Sequence, residues 1–180
     1  MAETTLVDVA RAAGVSQSTA SRVLNGSARR VRDEYAARVR DAATRLGYAV
    51  DLRAQATARR RSTIVSIVVE SLSDQRTMRI ASDILMIMEE SGLLASVSVC
   101  PADPERAAAM MRLLRGQRPG AIFVVSPEGA PSSRLLAHEL AEYEAHGGIV
   151  VETNAHAGTP LRAVRDAART IRDRDQRDRI

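Results

Sequence analysis

A length of 180 residues is enough for two modest cores, and with 2% aromatic residues, no Trp and a single Phe, Phe123, those cores are expected to be aliphatic. One cysteine, Cys100, excludes an internal disulfide, and with no apolar signal segment or membrane-length apolar run a cytoplasmic protein is expected. The formal charge of +4 is uneven: residues 1–62 carry twelve Arg against six acids and the remainder fourteen against sixteen, which concentrates a phosphate-seeking field at the N-terminal end.

In chain order, Thr5 followed three residues later by Asp8 has the form of a capping box, so a first helix is expected to start near Leu6. Val9, Ala10 and Ala13 share one face of it, and Gly14 is placed to end it in the left-handed conformation. Ser16 is placed to cap a second helix. Its Ala20, Val23 and Leu24 point back at the first, while Gln17, Ser18, Ser21, Arg22 and Asn25 share the outer face. Two short helices joined by a Gly-containing turn form the helix-turn-helix unit, whose second helix lies in the DNA major groove. Gln17 suits adenine and Arg22 suits guanine, each by a two-point contact.

Asp33 to Leu46 repeats Ala36, Val39, Ala43 and Leu46 at helical spacing and predicts a third helix. Arg32 stands where a capping hydroxyl is usual, so Asp33 is expected to take over the cap. Arg29, Arg30, Arg32, Arg38 and Arg40 are candidates for phosphate contacts or for a solvated surface.

The run Asp8-Val9-Ala10, Ala13-Gly14-Val15-Ser16, Thr19, Ser21-Arg22-Val23, Asn25-Gly26 and then Leu46-Gly47-Tyr48 resembles the headpiece of the lactose-repressor (LacI) family of bacterial transcription regulators. The resemblance is dense and nearly gap-free over the first third of the chain. It implies a homodimeric operator-binding protein with a hinge and a two-lobed, sugar-binding-protein-like effector domain. On the matching positions it implies DNA contacts from Thr5, Leu6, Ser16, Gln17, Ser18, Thr19, Ser21, Arg22 and Asn25, and from Ala54 and Thr57 in the hinge. The hinge departs from the family. Val50 and Asp51 stand in place of Pro-Asn, and Thr57 stands in place of the Leu that wedges the minor groove open, with Arg59, Arg60 and Arg61 as candidate backbone contacts or solvated linker.

From Thr63 onward strands alternate with helices: a strand at 64–69, a helix at 78–90, a strand at 94–100, a helix at 104–114, a strand at 121–125, a helix at 133–145 and a short strand at 149–152. This order argues a doubly wound parallel sheet, and it resembles one lobe of the periplasmic-binding-protein-like effector domain of the same family. Ile84, Leu85, Ile87 and Met88 are expected to pack on the sheet or at a dimer interface. By the rule that ligands sit beyond the carboxyl ends of strands, Ser71, Ser73, Asp74 and Ser126 are the candidate effector contacts. Where the family places Asn-Pro-Phe-Phe, the chain has Asp74, Gln75, Arg76 and Thr77, which cannot stack on a sugar.

The expected organisation is a headpiece at 1–48, a hinge at 49–62, an α/β lobe at 63–160 and a helical charged tail at 161–180 whose RDRDQRDR run frays into solvent. Family members run nearly twice as long, so a second lobe is expected to be missing, and with it any sugar or nucleoside inducer. His138-Glu139 with Glu142 lacks the second His of a zinc-protease helix, His146 and His156 fall in loops, and Cys100 has no nucleophile signature. No catalysis, cofactor or metal is expected. Two function classes follow: a sequence-specific regulator, acting as a repressor on a pseudo-palindromic operator, and a degenerate or truncated one that binds DNA weakly and non-specifically while its α/β half serves assembly.

Overall fold

A computed structural model describes residues 4–25, 31–49, 62–127, 131 and 133–177. The chain divides into two compact units, one holding three helices and the other a four-stranded sheet with its helices.

In the first unit the helices are α1 (Leu6–Ala13), α2 (Gln17–Asn25) and α3 (Asp33–Arg45). Helix α1 starts at the capping box and stops at Gly14, whose φ of 63° is the left-handed conformation that glycine adopts without a Cβ clash. Val9, Ala10 and Ala13 of α1, Ala20 of α2 and Val39, Ala42 and Ala43 of α3 form the buried core, flanked by Leu6, Val15, Val23, Leu24 and Tyr48. Two details of α3 differ from expectation. Arg32 occupies the N-cap without a side-chain hydrogen bond, and Asp33 is the first helical residue. Its carboxylate lies with that of Glu34 in the first turn, where it complements the positive helix end. Leu46 is 39% exposed because the helix ends at Arg45 and Leu46 forms its cap; Ala42 fills the core position instead. The Leu46 carbonyl accepts the Thr4 hydroxyl at 2.9 Å, tying the start of the headpiece to the end of α3.

The second unit runs β1 (Ile64–Val69), α4 (Gln75–Glu90), β2 (Leu94–Val99), α5 (Pro104–Gly116), β3 (Ile122–Ser126), α6 (Arg134–Ala145), β4 (Val150–Asn154) and α7 (Leu161–Arg177). All strand pairs are parallel, in the order β2-β1-β3-β4, with Ser66 opposite Ile122 and Ile122 opposite Val150. The central strands read as near-continuous apolar runs because helices cover both of their faces. On one face Val65, Ile67, Val69, Phe123 and Val125 meet Ile80, Ile84, Ile87 and Met88 of α4 and Val164, Ala168 and Ile171 of α7. On the other, Val68, Ile122 and Val124 meet Met111 and Leu114 of α5 and Leu136, Leu140 and Tyr143 of α6. Ile84, Ile87 and Met88 are thus buried against the sheet.

Helix α4 begins three residues before the expected start because Asp74 caps it, accepting the Thr77 N–H at 2.7 Å. The charged end of α7 is helical through Arg177 rather than frayed. Asp166 pairs with Arg162 and Arg169 at helical spacing, and Arg174 donates to the Gly147 carbonyl at 3.2 Å. A buried carboxylate locks α5 to α6: Glu139 accepts from Arg112 at 2.9 Å and from Arg115 at 2.5 Å. Burial pushes its carboxyl up, but the two guanidinium hydrogen bonds outweigh this and hold it below the usual carboxylate range. The Tyr143 hydroxyl is also buried, donating to the Pro119 carbonyl at 2.6 Å.

Candidate nucleic-acid interface

The polar surface of the headpiece is fixed from the capping residues upward. The Thr5 hydroxyl accepts the Asp8 N–H at 3.3 Å, and the Asp8 carboxylate accepts the Thr5 N–H at 3.0 Å and its hydroxyl at 2.6 Å. These bonds hold the Asp8 carboxyl below its usual range. Leu6 follows with its side chain against the three-helix core. At the other side of the turn, the Val15 N–H reaches the Ala10 carbonyl at 3.0 Å, and Ser16 caps α2 by accepting the Thr19 N–H at 3.2 Å. The Ser18 and Thr19 hydroxyls each lie 2.9 Å from that of Ser16, so three hydroxyls converge at the start of the helix.

Gln17 and Ser18 are exposed on the first turn of α2, while Ser21, Arg22 and Asn25 are half-buried further along. Asn25 donates to Ser21 at 3.0 Å, one turn apart on the same face. Among the described residues no carboxylate pairs with Arg22, and the Gln17 amide makes no hydrogen bond. Among the described residues the Gln17 amide and the Arg22 guanidinium thus keep donors and an acceptor open on this face. Arg32, Arg38 and Arg40 are exposed on α3 or at its start. Arg29, Arg30, Ala54, Thr57, Asp51 and Arg59 to Arg61 lie outside the described residues. Sequence reading passed over Tyr35, whose ring lies 5.8 Å from the Arg38 guanidinium; an aromatic three residues before an arginine on one helix was the available signal.

In the sheet unit the strand order reverses between β1 and β3, which puts the crevice beyond Val69 and Ser126. Ser71 follows β1 with its hydroxyl accepting the Ser73 N–H at 3.0 Å. The Asp74 carboxylate caps α4, and hydrogen bonds from the Thr77 side chain and backbone hold its carboxyl below the usual range. Ser126 ends β3 and is buried. Sequence reading missed the contact of Arg76 with His156, 2.6 Å apart across the ends of α4 and β4; the guanidinium must donate, which fixes Nδ1 of His156 as the acceptor. Cys100 is buried, and burial together with the charge of Glu70 pushes its thiol up, away from the nucleophilic thiolate. Among the described residues no three His, Cys, Asp or Glu side chains come together as a metal ion requires, and no helix is long and apolar enough to cross a membrane.

Three helices closed around a tight turn, the second with an exposed polar face, form a helix-turn-helix headpiece, and after it in the sequence comes a parallel, doubly wound α/β unit: this is the two-part class of helix-turn-helix proteins. Residues 5–51 match the bacterial regulatory proteins of the lacI family, and the headpiece belongs to that family. The transcriptional regulator GalS of Salmonella typhimurium is 39% identical over 124 residues, covering 68% of this chain and 36% of that protein. KdgR of Bacillus subtilis, also a transcriptional regulator, is 29% identical over 139 residues, covering 76% and 40%. Among solved structures, a LacI-family transcriptional regulator from Silicibacter pomeroyi has a TM-score of 0.69 at 31% identity, covering 82% of this chain and 42% of that one. The lac repressor dimer bound to operator and an anti-inducer gives 0.63 at 26% identity, covering 80% and 42%. The chain thus spans well under half the length of the relatives it matches.

Proposed function

We propose that the chain is a sequence-specific DNA-binding transcription regulator, acting as a repressor in the cytoplasm and binding a pseudo-palindromic operator as a homodimer. The observation that carries this reading is the exposed first turn of α2, where among the described residues the Gln17 amide has no hydrogen-bond partner and Ser18 stands beside it, on a helix whose start is fixed by Ser16. With α2 in the major groove, Gln17 and Arg22 read base edges, and Ser18 reads a base or its flanking phosphate. Thr5, Leu6, Ser16, Thr19, Ser21 and Asn25 set the register against the backbone. The homodimer rests on the relative solved as a dimer on its operator and on apolar side chains left exposed on α4 and the edge strand β2, namely Met86, Leu94, Val97 and Val99.

Selection of bound duplexes from random DNA at physiological salt, with sedimentation of the free and bound protein, tests the reading. A consensus with two inverted half-sites and a dimeric complex is the expected result. Absence of enrichment, with binding near the non-specific range of about 10⁻⁴ to 10⁻⁶ M, overturns it.

A further inference from the structure

The proposed readout by α2 does not use Arg38, yet its side chain packs against two neighbours in the headpiece. Its guanidinium lies 5.8 Å from the centroid of the Tyr35 ring on one side. On the other it lies so close to Gly14 that a Cβ at that position would collide with it. Gly14 is required by the φ of 63° that ends α1, and its missing side chain leaves room for the tip of the Arg38 side chain. The other described arginines of the headpiece differ. Arg11 is neutralised by Asp8 at 3.4 Å and Arg45 by Asp41 at 3.7 Å, whereas no carboxylate among the described residues pairs with Arg38. Arg22, Arg32 and Arg40 lack such a partner too, but neither a ring nor a glycine seat is found beside them among the described residues.

An exposed, unpaired cation pays no ordering cost on binding when packing already orders it, and a planar guanidinium offers paired donors to an oxyanion. Gly14 is two residues from Ser16, so their Cα atoms are at most about 7.6 Å apart, and the seat borders the hydroxyl cluster that opens α2. We propose that Arg38 is a pre-positioned clamp for one DNA backbone phosphate beside the helix-turn-helix turn, seated by Gly14 and Tyr35. It fixes how deeply α2 enters the groove and carries no base preference. The assignment rests on the headpiece being a DNA reader.

The test uses the full chain and two duplexes of equal length, a selected site and a random sequence, titrated across a salt series and followed by anisotropy. Arg38→Gln is expected to weaken both duplexes equally and to reduce the slope of log affinity against log salt by about 0.9 per headpiece bound. Arg38→Lys keeps the charge and is expected to keep the slope while losing several-fold in affinity, because an ammonium has no flat face to lay on Tyr35. Tyr35→Leu, which leaves the charge untouched, is expected to behave like Arg38→Lys, and it carries the test if Arg38→Gln unfolds the headpiece. An unchanged slope in folded Arg38→Gln, or full affinity in Tyr35→Leu, overturns the clamp while leaving DNA binding intact. If the wild-type chain binds neither duplex in a salt-dependent way, both the clamp and the underlying reading fall.

Discussion

Among the described residues, every hydrophobic side chain buried in the three-helix unit is Val or Ala, whereas the sheet unit buries Ile, Leu, Met and Phe123 as well. Small side chains let three short helices approach closely, but each removes little apolar area from water, so the headpiece depends on its caps and turns to hold α2 in place. The sheet unit has the opposite balance. Two layers of helices bury long aliphatic chains on both faces of β1 and β3, and its polar contacts are braces on a fold that packing already defines. The headpiece is organised for its surface and the sheet unit for its interior. Four substitutions sharpen or break this contrast.

Phe123→Ala, at the centre of the sheet, is expected to cost about 3 to 5 kcal/mol and to lower the melting transition of the sheet unit while leaving that of the headpiece in place. An equal downward shift of both transitions in calorimetry means that the two units melt as one. Glu139→Gln, which removes the charge shared by Arg112 and Arg115 and leaves Arg115 only its longer contact with Glu142 at 3.9 Å, is expected to cost about 1.5 to 3 kcal/mol. Because folding holds the Glu139 carboxyl below its ordinary range, the stabilisation is complete above that range and is lost as pH falls through the lowered value. Wild-type and Glu139→Gln melting curves are therefore expected to differ at neutral pH and to converge in acid; a constant gap down to acid pH contradicts the pairing.

Arg22→Ala is expected to cost about 1 to 3 kcal/mol in binding to a selected site, with selectivity relaxed at one base pair per half-site and little change in melting temperature. Equal losses on selected and random DNA make Arg22 a phosphate contact. Thr5→Ala removes the cap and is expected to cost about 1 kcal/mol, the smallest effect in absolute terms but one felt in the small headpiece. Thermal melting followed at 222 nm measures it, and no change in the headpiece transition shows that Asp8 alone satisfies the first turn.

What could be read from the sequence followed distance along the chain. Thr5 with Asp8, Gly14 and Ser16 were legible because each acts within four residues of itself, and the structure keeps all three roles. The sheet class was legible from the alternation of elements, although strand edges moved by one or two residues. Leu46 was misplaced because periodicity alone does not say where a helix ends, and one residue past the end leaves the buried face. The charged end of α7 was misread because alternating charge suits a solvated helix as well as a frayed one. The Glu139 clamp, the Arg76–His156 contact and the seat of Arg38 on Gly14 join residues 24 to 80 positions apart, and no local pattern announces them.

The buried hydroxyl of Tyr143 has a practical consequence for watching this protein fold. With no Trp in the chain, intrinsic fluorescence comes from three tyrosines alone, Tyr35 and Tyr48 in the headpiece and Tyr143 in the sheet unit. Tyr143 is held in the α6 interior and bonded to a carbonyl, while the other two are half-buried around three small helices. Replacing Tyr143 with Phe leaves emission that reports the headpiece alone, and replacing Tyr48 and Tyr35 leaves emission that reports the sheet unit alone. The chain therefore carries its own pair of separable optical probes, one for each unit, without any label.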